Sequence, residues 1–252
     1  MRAGRDCPLD YRLARSAFSG EPLFDCDVLY VVGGLYGNRQ ALAALQRRLV
    51  NEPNARVVFN GDAHWFDRNS EIFQHIEDGL SAHLALRGNV ETELGRADDS
   101  GAGCGCAYPL SVDDGVVERS NAIQQTLNQT VQGLPGMAER LAARPSTALI
   151  RVAGQRVAIS HGDEQSLAGW SCSRESLSEH ARQQQLDSWF AVNNVQVLAT
   201  SHTCSAVALN LEHGALINNG AAGLPNFAGG RYGLLSRIAT TPHPAALYRS
   251  QR

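Results

Sequence analysis

Four short apolar segments of the sequence each lead into a polar residue, and this repeated pattern constrains the fold more than any other feature. The segments are Val57-Val58-Phe59, Leu84-Ala85-Leu86, Val157-Ala158-Ile159 and Val197-Leu198-Ala199, and the polar residues beyond them include Asp62, Asn89, His161 and His202. Short apolar runs bounded by Gly and Asn are typical of buried strands. In open α/β sheets, functional groups collect beyond the carboxyl ends of the strands. We therefore expect these four side chains to meet at one site.

The four side chains offer one carboxylate, one amide oxygen and two imidazoles. This mixture of nitrogen and oxygen donors suits a divalent transition metal such as Mn, Zn or Fe better than it suits Mg or Ca. The sequence therefore predicts a metal site held by Asp62, Asn89, His161 and His202.

The surrounding pattern predicts an α/β fold with mixed sheets. Residues 27–32 form a first strand, and a glycine-rich turn ends at Asn38, which is a suitable N-cap for a helix with Leu42, Leu45 and Leu49 on one face. A strand at 56–59 completes a βαβ unit. Further helices are expected over 8–18, 69–83, 119–143 (split at Pro135-Gly136) and 174–191. Further strands are expected over 147–152, 155–160, 195–200, 206–211, 215–218 and 233–239.

Length and composition favour a globular chain without a nucleic-acid-binding patch. The chain has 252 residues, of which 43% are hydrophobic, and a net charge of −3. We therefore expect one domain over residues 1–252, with a core at about 27–240 and an irregular insertion at about 95–118. No transmembrane segment or signal peptide is expected, which favours the cytoplasm. The six scattered cysteines are expected to be reduced. Cys104 and Cys106 are more simply explained as loop thiols than as metal ligands, since a single Cys-x-Cys is a weak signal.

The order of these motifs resembles the calcineurin-like metallophosphoesterase superfamily over about residues 27–225. That family places Asp-x-His, Gly-Asp-x-x-Asp, Gly-Asn-His-(Glu/Asp), a lone His and Gly-His-x-His at strand ends. Gly61-Asp62, Gly88-Asn89, His161 and His202 match it, and residues 217–223 resemble the Asn-Pro-Gly-Ser stretch of the small bacterial phosphodiesterase branch. The resemblance implies a four-layer α/β/β/α sandwich with two mixed sheets.

The departures from the family pattern fall at one of its two metals. Gly34 and Tyr36 stand where the first motif has its ligands, and Cys204 stands where the last motif has its second His. The resemblance thus implies one complete metal site and one degenerate first site. Two alternatives follow: His64 and Cys204 hold a second ion with Asp62 and Tyr36, or His64 and Tyr36 line the pocket and donate hydrogen bonds to a phosphate. Val90 replaces the His that protonates the leaving group.

The resemblance implies a metal-dependent hydrolase of small phosphoesters, in particular phosphodiesters, that uses metal-activated water. His64 and Glu91 are the candidate catalytic residues; Glu91 would orient a metal-ligating imidazole, or would simply begin a helix. The candidate substrate-binding residues are Tyr36, Asn38, Arg68 and Arg87, and the alternative for the two arginines is a surface salt bridge. Two rival functions remain: a pseudoenzyme that retains one metal as a binding or regulatory module, and a protein phosphatase.

Overall fold

The computed structural model of the chain describes residues 1–246. Its strands are β1 (Asp25–Cys26), β2 (Val28–Val32), β3 (Arg56–Asn60), β4 (Leu84–Leu86), β5 (Thr147–Val152), β6 (Gln155–Ser160), β7 (Val197–Thr200), β8 (Val207–Asn210), β9 (Ala215–Asn218) and β10 (Ser236–Ala239). Its α-helices are α1 (Arg39–Asn51), α2 (Ser70–Leu80), α3 (Asn89–Leu94), α4 (Asp114–Gln132), α5 (Met137–Ala142), α6 (Arg174–Leu177) and α7 (His180–Asn193).

The strands form two mixed sheets. A six-stranded sheet has the order β1-β5-β6-β7-β9-β8, and a four-stranded sheet has the order β10-β2-β3-β4. The pairs β2–β3, β3–β4, β6–β7 and β7–β9 are parallel, whereas β5–β6 and β8–β9 are antiparallel. The parallel pairs bring the carboxyl ends of β3, β4, β6 and β7 to the edges where the predicted site residues follow.

The two sheets pack face to face with helices on their outer faces. Between the sheets, Val31 and Val58 of the smaller sheet pack with Ile150 and Ile159 of the larger one. Helices α1 and α2 cover the outer face of the smaller sheet, and α7 covers that of the larger sheet. The result is the four-layer α/β/β/α sandwich that the family resemblance implies.

Helix boundaries follow the capping residues of the sequence. The Asn38 side chain accepts a hydrogen bond from Ala41 N, which confirms it as the N-cap of α1. Asn69 caps α2 in the same way, accepting from Glu71 N and Ile72 N. Such caps satisfy backbone donors that have no partner within the helix.

Several predicted elements need correction. Only a 3₁₀ turn at Leu9–Tyr11 forms within 8–18, and the helix expected over 174–191 is divided into α6 and α7. Helix α4 begins at Asp114, inside the expected irregular insertion. The predicted domain also includes residues 247–252, which lie outside the described residues. No helix within residues 1–246 has both the length and the apolar character needed to cross a membrane.

The expectation of six reduced cysteines is wrong for one pair. Cys104 and Cys106 form a disulfide, while Cys7, Cys26, Cys172 and Cys204 are free. Gly105 between them has a φ of +63°, a conformation that glycine adopts without steric cost. The turn brings the two Cα atoms to 5.3 Å, within the range of disulfide bonds. Sequence spacing alone did not reveal this turn.

Candidate metal centre

The four side chains predicted at the strand ends converge in the structure. His161 Nε2 lies 3.2 Å from Asp62 Oδ2, 3.2 Å from Asn89 Oδ1 and 3.2 Å from His202 Nδ1. All four residues are buried. The convergence follows the strand-end pattern, although the four residues span 140 positions of the sequence. Their role as metal ligands stays a proposal.

The loops that carry Asp62 and Asn89 approach each other closely. Asp62 follows β3 with a φ of +51°, which is unfavourable for a residue with a side chain. Gly61 precedes it, and a Cβ there would lie only 2.5 Å from Gly88 N and 2.7 Å from His161 Nδ1. Val90 N donates to Asp62 Oδ1 over 3.2 Å, which leaves Oδ2 facing His161. Strained backbone of this kind collects at functional sites.

Hydrogen bonds fix the tautomer of each imidazole. His161 Nδ1–H donates to the Asn60 carbonyl over 2.7 Å, and His202 Nε2–H donates to the Cys106 carbonyl over 2.9 Å. Each neutral ring therefore presents its unprotonated nitrogen to the centre. When both rings are neutral, these two nitrogens, Asp62 Oδ2 and Asn89 Oδ1 form a group of four acceptor atoms without a donor among them.

The protonation equilibria show that this group of acceptors attracts positive charge. Burial alone would lower the pKa of His161, but the carboxylate of Asp62 raises it above the ordinary value. Burial raises the pKa of Asp62, and the neighbouring His161 more than offsets this, so that the carboxyl pKa is lowered. Burial and the charge of His161 lower the pKa of His202 to about 4. Without another cation, a proton on His161 supplies the charge; a divalent metal fits the same four donors.

Glu91 positions both ligand loops through the backbone. Its carboxylate accepts hydrogen bonds from Asp62 N, Ala63 N and Gly88 N, each at 2.8 Å. The side chain is fully buried. It contacts no imidazole of the centre among these bonds, so its expected catalytic role and its expected contact with a ligating His do not fit. It lies in the first turn of α3, where it accepts from the N-cap Gly88, and it links the loops that follow β3 and β4.

A phenol and a thiol lie together at positions where the resemblance predicts a degenerate first metal site. Tyr36 Oη lies 2.9 Å from Cys204 Sγ. A Cβ on Gly34 would lie 3.1 Å from Tyr36 Cζ, so the phenol fills the space that a longer side chain at position 34 would need. Tyr36 and Cys204 also have positive φ angles of 56° and 57°. Like Asp62, Tyr36 and Cys204 therefore have a backbone conformation that is unfavourable for a residue with a side chain.

The Tyr36–Cys204 pair is neutral at physiological pH. Burial raises the pKa of the Cys204 thiol to about 11, and burial raises the pKa of the Tyr36 phenol well above 10. Metal ligation by a thiol requires the thiolate. An ion at Cys204 would have to displace this proton, and His64, the other ligand expected for a second ion, bonds to Asp67 and Glu77 instead.

His64 faces away from the centre, which corrects both roles expected for it. Its Nδ1 lies 2.6 Å from Asp67 Oδ2 and its Nε2 lies 2.9 Å from Glu77 Oε1. The ring is fully buried and stacks on Phe73 at 3.6 Å. Both nitrogens are used in these bonds, so His64 is available neither as a proton donor nor as a metal ligand.

The remaining predicted residues lie in structural positions. Asn38 Nδ2 donates to Gly223 O over 2.7 Å while its oxygen caps α1, so neither end is free for substrate. Arg87 donates to the carbonyls of Ala142 and Arg144 rather than facing the centre. Arg68 is exposed, and its described hydrogen bond uses only the backbone carbonyl. Substrate contact by these three residues is not supported.

Val90 supplies no proton to the centre. Its side chain is 1% exposed and packs among apolar residues of α3, α4 and α5, including Leu94, Leu127 and Leu141. The position therefore belongs to the core of a helical cluster and not to the wall of the metal centre.

Sequence reasoning missed the contribution of Cys106 and Trp170, which contact His202 of the centre. The Cys106 carbonyl accepts hydrogen bonds from His202 Nε2 and from Trp170 Nε1, each at 2.9 Å. The Trp170 ring also packs edge-on against His202 at 5.3 Å. The Cys-x-Cys spacing was the only signal in the sequence, and it does not identify carbonyl acceptors.

A cavity of about 890 Å³ lies beside α1 and the β8–β9 pair, and none of the four candidate ligands lines it. Its wall includes Asn38, two residues after Tyr36, and Ala206, two residues after Cys204. Apolar residues such as Leu35 and Ile217 line much of it, and no Asp or Glu within residues 1–246 does. A cavity of this size suits a small organic ligand.

Comparisons with known proteins identify the fold. No protein-family model and no curated protein matches the sequence. A hypothetical protein from Pyrococcus horikoshii OT3 is similar with a TM-score of 0.59 and 14% identity, over 84% of this chain and 87% of that one. A metallophosphoesterase from Sphaerobacter thermophilus is similar with a TM-score of 0.50 and 12% identity, over 84% of both chains. A mutant of a cold-active protein tyrosine phosphatase is similar with a TM-score of 0.51 and 13% identity, over 94% of this chain and 85% of that one. The chain therefore has the metallophosphoesterase fold implied by its motifs.

Proposed function

We propose that this chain, which has the metallophosphoesterase fold, is a hydrolase of small phosphoesters that works with one divalent metal ion. The observation that carries the proposal is the group of four converging acceptor atoms on Asp62, Asn89, His161 and His202. Four buried acceptors without a donor repel one another unless a cation lies among them. The fold alone would not fix an activity, because one fold supports many functions.

The donor set favours Mn, Zn or Fe as the ion. A bound ion of this kind polarises a phosphoryl oxygen and lowers the pKa of bound water toward neutrality. The protein's own residues prepare the site. Glu91 fixes the backbone that carries Asp62, and the carbonyls of Asn60 and Cys106 hold the two imidazoles in their ligand tautomers.

The proposed centre has one ion and not two. The Tyr36 phenol and the Cys204 thiol bond to each other where a second ion would lie, and His64 bonds to Asp67 and Glu77. A two-metal enzyme clamps both the attacking and the leaving oxygen. With one ion and with Val90 in place of an acid, the leaving oxygen receives no help, so esters of acidic alcohols are the preferred substrates. Phosphodiesters with an aryl group meet this requirement.

The rival function is a catalytically inactive module that retains the ion. The buried position of Val90 and the filled first site favour it. The two functions share the metal centre and differ only in turnover, so metal binding and hydrolysis must be measured separately.

The test uses protein stripped with a chelator and then titrated with Mn²⁺. We expect one equivalent to bind and bis(p-nitrophenyl) phosphate to be hydrolysed in proportion to the metal bound. His161→Ala should weaken Mn²⁺ binding by more than the 10–100-fold that is typical for outer-shell partners. His75→Ala, on the exposed face of α2, is the matched control and should bind as the native protein does.

Two outcomes would contradict the proposal in different ways. Full metal binding without hydrolysis of phosphomonoesters or phosphodiesters would leave the inactive module. No Mn²⁺, Zn²⁺ or Fe²⁺ binding by the native protein would overturn both functions.

A further inference from the structure

The segment Cys104-Gly105-Cys106, called here the CGC segment, lies against the metal centre. Cys104 is 0% exposed and Cys106 is 5% exposed, although the residues before them, such as Gly101, are on the surface. With Ala102, the segment is therefore the buried part of a connection between α3 and α4 that is exposed at 97–99 and 110–111.

Two of the four candidate ligands bond to the CGC segment. Asn89 Nδ2 donates to the Cys104 carbonyl over 2.9 Å, and His202 Nε2 donates to the Cys106 carbonyl over 2.9 Å. These bonds turn the amide oxygen of Asn89 and Nδ1 of His202 toward the centre. The position of the two carbonyls therefore sets the orientation of half of the donor set.

The disulfide between Cys104 and Cys106 joins the two residues whose carbonyls make these bonds. The stabilisation that a disulfide gives by restricting the unfolded chain grows with loop length, so a bridge across one residue contributes little to global stability. Its effect is local. Apart from the bridge, the segment is held by Cys104 N donating to Asn121 Oδ1 over 3.0 Å and by the Trp170 bond to the Cys106 carbonyl.

We propose that Cys104 and Cys106 form a redox-sensitive modification site whose oxidation state sets the metal affinity of the centre. The inference rests on the proposed metal site. In the oxidised state, the bridge fixes both carbonyls against Asn89 and His202. A dithiol reductant transfers two electrons and two protons; the S–S bond breaks, two thiols form, and the reductant becomes a disulfide. The freed segment then orients the two ligands less tightly.

The expected effect is a 10–100-fold loss of metal affinity on reduction, the usual effect of losing an outer partner of a metal ligand. Linkage requires the reverse effect to be equal, so metal binding makes the disulfide harder to reduce by the same factor. For a two-electron couple, each tenfold corresponds to about 30 mV. This reciprocal shift is a second measurement that does not depend on hydrolysis.

The experiment compares Mn²⁺ affinity in the oxidised and the reduced protein, with free Mn²⁺ followed by electron paramagnetic resonance. Thiol titration of denatured protein gives the redox state: four thiols when the bridge is present and six after reduction. We expect 10–100-fold weaker binding for the reduced protein, and equally weak binding for Cys104→Ser/Cys106→Ser under both conditions. The control Cys7→Ser/Cys26→Ser removes two other cysteines and should respond to reduction as the native protein does.

The reduction potential of the pair is then measured in dithiothreitol buffers with and without Mn²⁺. It should become more negative by about 30 mV for each tenfold difference in affinity. Equal Mn²⁺ affinities for the oxidised and reduced protein, or six thiols under every oxidising buffer, would overturn the inference while the metal site stood. Absence of Mn²⁺ binding in both states would overturn the metal site as well as the inference.

Discussion

Removing the buried His64 should make the fold less stable and change how its stability depends on pH. His64 bonds to two carboxylates, at 2.6 Å from Asp67 and 2.9 Å from Glu77. Arg140 and Arg144 also contact Glu77, so the imidazolium is one cation of a buried network. The pKa of Glu77 is far below its usual range: burial raises it, and His64 and the arginines outweigh that effect.

The size of the effect follows from the pKa of His64. Burial lowers this pKa, but the hydrogen bonds to Asp67 and Glu77 raise it from 6.5 to about 9. Because the folded value is the higher one, the stabilisation is fully present below pH 6.5 and is lost as the pH rises through 9. Each pH unit between the unfolded and the folded pKa corresponds to about 1.4 kcal/mol, so the protonated ring contributes roughly 3 kcal/mol. That is a large part of the roughly 5–15 kcal/mol by which a typical domain is stable.

The assay is urea unfolding of the native protein and of His64→Gln between pH 6 and pH 9.5. The variant should be less stable by about 3–5 kcal/mol at pH 6, the usual cost of breaking a buried ion pair. The difference between the two proteins should shrink by roughly 3 kcal/mol by pH 9.5. His75→Gln, exposed on the same helix, is the control and should follow the native profile. Mn²⁺ affinity of folded His64→Gln should remain native, because His64 does not face the centre.

Parallel pH profiles for the native protein and His64→Gln would refute this reasoning. They would mean that His64 is neutral in the folded state, so that the carboxylates beside it do not stabilise an imidazolium.

Three further predictions concern the centre itself. Metal binding must displace the proton of His161, because the pKa of this imidazole is raised. The Mn²⁺ affinity measured by calorimetry should therefore fall up to tenfold for each pH unit below that pKa. An affinity that does not change with pH would contradict this. Glu91→Gln should lower the free energy of unfolding by about 2–3 kcal/mol, because the amide cannot accept all three backbone N–H bonds. It should also weaken Mn²⁺ binding. The control is Glu71→Gln, which changes an exposed side chain. Hydrolysis rates in a series of phosphodiesters should fall steeply as the leaving-group pKa rises, because Val90 supplies no acid. Val90→His should destabilise the protein without raising the rate of hydrolysis of alkyl esters, because the side chain at this position packs in an apolar cluster. A shallow slope would indicate an unrecognised acid.

The α/β class and the meeting of the four side chains were predictable because they depend on regular features, whereas the four-layer arrangement was implied by the family resemblance. Apolar runs of strand length identify buried strands, and the parallel arrangement of β3 with β4 and of β6 with β7 places their ends together. The residues just beyond those ends then converge whatever their separation in sequence.

The direction of individual side chains was not predictable in this way. His64 is two residues from Asp62, but the left-handed backbone at Asp62 turns the chain so that His64 faces Glu77 instead of the centre. Val90 is next to Asn89 in α3, and successive helical residues point to different faces, so one joins the centre while the other joins an apolar cluster. The bonds of Asp62 N and Ala63 N to Glu91 and of His202 to the Cys106 carbonyl join segments distant in sequence, and no local spacing encodes them.

The most direct test of the one-metal centre is anomalous diffraction from crystals of the protein grown with Mn²⁺. We expect one metal peak, bonded to Asp62 Oδ2, Asn89 Oδ1, His161 Nε2 and His202 Nδ1 at about 2.0–2.2 Å, distances typical of such donors. The position beside Tyr36 and Cys204 should hold no ion. Absence of a peak among the four donors, or a second peak about 3.5–4 Å away as in two-metal enzymes, would contradict the one-metal centre.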